Sequence, residues 1–64
     1  MDPNATLETI ADALDKDDYT TAHEFAGYLQ QWLHKGGFAP DWKRYPRAEL
    51  YCLRFERESR IKQA

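Results

Sequence analysis

A single cysteine, Cys52, in a chain of 64 residues leaves no internal disulfide to form. Long apolar runs are also absent: none approaches the ~20 residues that a bilayer-spanning helix needs, so no membrane partner is expected. The opening Met1-Asp2-Pro3-Asn4 has neither the positive region nor the apolar core of a secretory signal. Together with the unpaired thiol, this predicts a reducing, cytoplasmic setting, and the leading Met predicts a whole gene product. No repeat is visible within the chain.

The ingredients of catalysis and metal binding are equally thin. His23-Glu24 begins like the zinc signature H-E-x-x-H, but Gly27 stands where the second histidine belongs. His23 and His34 fall about 16 Å apart along a helix rising about 1.5 Å per residue, too far to share an ion. Asp15, Asp17 and Tyr19 match the first positions of a calcium loop, yet Thr20 replaces its turn glycine and Ala26 its bidentate acid. Gly36-Gly37 lacks the G-K-[ST] that would cradle phosphate. Cys52 has no base beside it in sequence. No catalytic residue, metal or cofactor is therefore expected, and the predicted function is non-enzymatic.

What the chain does have is apolar and aromatic weight. Hydrophobic residues make up 42% and aromatics 14%, enough for one small domain. A domain of this size buries only about 60% of the surface its unfolded chain exposes. Without staples, it is expected to borrow apolar area from a partner or from a second copy of itself.

Charge is split along the chain. Residues 1–35 carry seven acids and two bases, a balance of −5; residues 36–64 carry seven bases and four acids, or +3. Pairing between the halves, or an anionic partner for the basic one, explains such an asymmetry.

Asp2-Pro3 spells a helix N-cap followed by proline at the first helical position. Leu7, Ile10, Ala11 and Leu14 then recur as one narrow apolar stripe. A second helix starts from Asp18 or, through the capping box Thr21-Ala22-His23-Glu24, about three residues later. Ala22, Phe25, Ala26, Tyr28, Leu29, Trp32 and Leu33 occupy an arc of roughly 160° on it, too wide for one neighbouring helix to cover. Lys35-Gly36-Gly37 is a helix stop, and a Schellman motif would press Phe38 onto Leu33. Gly27 lies on the polar arc of this helix, where glycine costs about 1 kcal/mol against alanine, so a helix or loop crossing close by is one reading of it.

From residue 47 two patterns compete. Ala48, Tyr51, Cys52 and Phe55 form a helical stripe, whereas Tyr51, Leu53 and Phe55 also alternate as in a strand. Helix is the preferred reading of 48–56, because a lone strand has no partner here and Glu56 with Arg60 and Glu58 with Lys62 supply i, i+4 pairs. That helix leaves Leu50, Leu53 and Ile61 on the side away from its main stripe, the predicted self-association face.

Asp2-Pro3-Asn4 and Asp18-Tyr19-Thr20-Thr21-Ala22 resemble the linker and the second-helix opening of a single tetratricopeptide unit, which implies a helical hairpin. The first helix is about three residues short of that unit, and its large-small-aromatic signature is missing. DPNATL at the start and WLHKGGFAPDW from Trp32 to Trp42 resemble short open reading frames of actinobacteria and their bacteriophages. That resemblance covers roughly residues 2–42 and implies a phage-encoded accessory protein; it brings no activity or site with it.

The expected fold is all-α, a single domain with an antiparallel helical hairpin over 3–35, an aromatic loop over 36–46 and a basic C-terminal helix over 47–64, with a C-terminal strand as the alternative. The expected function is a small protein–protein interaction module that forms a homodimer, with Phe38, Trp42, Tyr45 and Gly27 facing a protein partner. The alternative is a small nucleic-acid-binding protein using Arg44, Arg47, Arg54, Arg57 and Arg60. Glu56 and Glu58 interleave with the last three arginines, as on a solvated helix face.

Overall fold

The structure, a computed structural model, describes the backbone of residues 1–63 and the side chains of residues 1–58. It is all-α: α1 (Pro3–Asp15), α2 (Tyr19–His34), one turn of 3-10 helix at Trp42–Arg44, and α3 (Pro46–Gln63). The competition over 48–56 is resolved in favour of helix.

The caps explain where each helix begins and ends. The Asp2 carboxylate accepts from the Asn4 N–H at 3.0 Å and the Ala5 N–H at 3.4 Å, with Pro3 filling the first turn. Asp18, not Thr21, caps α2: its carboxylate takes the Thr21 hydroxyl at 2.7 Å and the Thr21 N–H at 3.2 Å. These two bonds, the hydroxyl's first, hold the Asp18 carboxyl below its ordinary pKa. The first two helices close in the same way. Asp17 (φ 56°) follows α1, and the Asp18 N–H returns to the Ala13 carbonyl at 2.8 Å; Gly36 (φ 90°) follows α2, and the Gly37 N–H returns to the Trp32 carbonyl at 3.0 Å. Aspartate is among the few residues other than glycine that take the left-handed conformation readily.

α1 and α2 form the hairpin, and α3 lies against both. Leu7, Ile10, Ala13, Leu14, Ala22, Ala26, Leu29 and Ala48 make the buried core. The narrow stripe expected on α1 is in fact broad, since Pro3, Thr6 and Ala13 are buried along with the leucines and the isoleucine. The reason is the third helix: α1 packs on α2 and α3 at once, so a stripe sized for one neighbour is too small. Buried Thr6 is satisfied locally, its hydroxyl donating to the Asp2 carbonyl at 3.1 Å.

On α2, Tyr28 stands at the wet edge of the predicted arc, 45% exposed, with its hydroxyl donating to Glu24 at 2.6 Å. Small residues dominate the centre: Ala22 and Ala26 are buried and let the neighbouring helices approach. Two polar ties fix the remaining chain. The Asp41 N–H donates to the Asn4 side-chain oxygen at 2.7 Å, and Arg47 bridges to Asp15 at 3.0 Å. The second tie joins the acidic half of the chain to the basic half.

Candidate functional site

α3 sorts its residues by angle. Ala48 is buried, and Tyr51, Cys52 and Phe55 are half-buried against the hairpin, which leaves Leu50 and Leu53 outside at 62% and 57% exposure. Burial raises the Cys52 thiol to about 11, so it remains a protonated, apolar wall residue near neutrality. Tyr51 is raised by burial first and by the Glu58 charge second.

Between α2 and α3 runs a cleft of about 170 Å³, with Ala26, Leu29 and Leu33 on one side, Cys52 and Leu53 on the other, and the Trp42 ring beside them. Gln30, Glu49 and Glu56 supply its polar lining. Leu50, Leu53, Arg54, Glu56 and Arg57 border a more open depression on the outer surface of α3, so Leu53 and Glu56 belong to both.

The predicted partner-binding aromatics differ in how far they are covered. Trp42 lines the cleft, Tyr45 is half-buried against the core, and Phe38 stands 64% exposed beyond the end of α2. Phe38 meets Trp32 edge-on, with ring centroids 5.7 Å apart. Gly37 is the cause: the Trp32 indole lies directly over it and donates its ring N–H to the Phe38 carbonyl at 2.9 Å.

Gly27 is crossed by the chain's own C-terminal helix. A Cβ built there would sit 3.6 Å from the Phe55 ring, which also meets His23 edge-on with centroids 4.8 Å apart. That is ordinary contact, so nothing forbids a side chain. Gly27→Ala is expected to stabilise the protein by up to about 1 kcal/mol through helix propensity, read as a higher urea midpoint. A lower midpoint would mean that α3 packs closer than this spacing.

The arginines are dispersed. Arg44 is exposed in the 3-10 turn, Arg47 is committed to Asp15, and Arg54 and Arg57 are exposed on a surface that also carries Glu58. Ile61, Arg60 and Lys62 lie outside the described side chains, and with them the two predicted i, i+4 pairs. Among the described residues, no group of three His, Cys, Asp or Glu could hold a metal ion, and no helix is long and apolar enough to cross a membrane.

Sequence reasoning places Leu33 in the core arc and passes over Glu49, though both line the cleft. The signal for Glu49 is its position one residue before Leu50, on the flank of the outward leucine stripe. Compared with known proteins, the chain matches no family model, no curated protein and no solved structure.

Proposed function

We propose that this chain is a small, non-enzymatic protein–protein interaction module that self-associates through the outer face of α3, in a reducing cytoplasm suited to its lone thiol. The observation that carries the reading is the exposure of Leu50 and Leu53, more than half uncovered beside an open apolar cleft on a domain with little core to spare. Fully burying an exposed leucine side chain stabilises by about 1.5–3 kcal/mol, Leu50 and Leu53 have more than half of that still to gain, and a two-fold contact counts each leucine twice. The cleft supports binding over catalysis, since its walls are mainly aliphatic and aromatic and its thiol is held protonated. An accessory role, such as the resemblance to short phage reading frames implies, suits a module of this size.

The test is solution mass by sedimentation equilibrium over a hundredfold concentration range. The wild type is expected to move from monomer toward dimer as concentration rises. Leu50→Glu is expected to stay monomeric with its helical signal unchanged, because the side chain already points away from the core. A wild type that remains monomeric throughout, or a Leu50→Glu variant that dimerises as the wild type does, overturns the reading.

A further inference from the structure

We infer that the second copy docks parallel, α3 alongside α3 about a two-fold axis running with the helices, and that Glu49 of each copy pairs with Arg54 of the other. This rests on the self-association reading and adds its orientation and register.

With Leu50 at a and Leu53 at d, Ala48 and Phe55 fall at f, Tyr51 at b and Cys52 at c. Those four are the α3 residues packed on the core, so the register leaves the a/d seam on the surface turned outward. Glu49 then sits at g on one flank of the leucines, and Arg54 at e on the other. The ion pairs of Lys16 with Asp12 and of Arg47 with Asp15 involve neither of them. Among the described residues, Glu49 and Arg54 thus make no ion pair, and their charges are available to a partner.

Charge decides the orientation. A two-fold axis along the helices brings the g flank of one copy against the e flank of the other, where position g meets the e residue five further along: Glu49 faces Arg54, twice. Turning one helix end for end places like flanks together, Glu49 with Glu56 on one side and Arg47 with Arg54 on the other. That arrangement offers neither Glu49 nor Arg54 an opposite charge, and Arg47 is already held by Asp15, so only the parallel one gains ion pairs. The apolar seam is one heptad long, and Arg57 occupies the next a position, so the association is weak and concentration-dependent.

The experiment uses full-length Glu49→Arg, full-length Arg54→Glu and their equimolar mixture, by sedimentation equilibrium. Both side chains lie outside the buried core, and circular dichroism checks that each variant keeps its helix. Alone, each variant is expected to dimerise about tenfold more weakly than the wild type, since both cross-pairs become repulsive. Mixed, they are expected to recover wild-type affinity as a heterodimer. One of its cross-pairs is the wild-type pair of Glu49 with Arg54, and the other is the same pair with its two charges exchanged. Tighter self-association of Glu49→Arg would establish the antiparallel arrangement and overturn the proposal. So would a mixture no stronger than its components, or two variants indistinguishable from the wild type. If Leu50→Glu dissociates the dimer while the charge variants leave it untouched, self-association stands and the parallel register falls; a monomeric wild type removes both.

Discussion

Leu29→Ala is expected to lower the melting temperature by about 15–20 °C and to leave a large unfolded fraction near 37 °C. Leu29 is 1% exposed and belongs, with Leu7 and Ile10, to the largest fully buried side chains. It stands in α2 one turn from buried Ala26, and its opposite edge borders the cleft under Trp42 and Leu53. Neighbouring alanines have no atoms to move into the space, so the truncation leaves a cavity and costs about 3 kcal/mol. A chain of 64 residues has roughly 3–10 kcal/mol of total stability, and one kcal/mol moves the midpoint of a domain this small by about 4–8 °C. Melting is read by circular dichroism at a concentration where the wild type is monomeric, because dimerisation would add stability of its own. Leu53→Ala is the control: at 57% exposure it is expected to change stability by about 0.5 kcal/mol or less. Similar melting of the two variants would mean that α2 does not bury the face assigned to it.

That contrast also marks what can be read from the residues alone. Asp2-Pro3, Asp18 and Gly36-Gly37 act through bonds to backbone a few residues away, so the bounds of the hairpin are written locally. The same holds for the outward leucines, because Leu50 and Leu53 oppose Ala48, Tyr51, Cys52 and Phe55 on any helical projection. What escapes is everything that depends on where the third helix lands. Ala13 and Thr6 look marginal on α1 yet are buried in a helix packed on two others, and Thr6 is tolerable only through its bond to the Asp2 carbonyl. Gly27 looks like a site awaiting an outside visitor until Phe55 arrives beside it. Trp42, Tyr45 and Phe38 read as one aromatic loop, but Trp42 and Tyr45 pack against the core while Phe38 stays exposed. A period or a motif records what a residue does within its own helix; it does not record the angle at which another helix crosses.

Gly37→Ala is expected to destabilise by about 2 kcal/mol, although alanine is compatible with the backbone there. Gly36, not Gly37, is the glycine with positive φ. The obstacle at Gly37 is steric: a Cβ would fall inside the Trp32 indole, touching three atoms of the ring at once. Relief requires the indole to swing away, which breaks its hydrogen bond to the Phe38 carbonyl and its edge contact with Phe38 and uncovers part of the core. Overpacking of this kind costs about 1–3 kcal/mol. A double-mutant cycle separates this cause from any generic effect of losing a glycine. With Trp32→Ala already in place the ring is gone, and adding Gly37→Ala is expected to be neutral or to stabilise by about 0.4–1 kcal/mol, since alanine loses less chain entropy on folding. The sign of the Gly37→Ala effect should thus reverse with the residue at position 32, measured as the shift in urea midpoint within each background. An equal cost in both backgrounds would show that the indole does not lie on Gly37, and the account of how α2 hands the chain to the aromatic loop would fall with it.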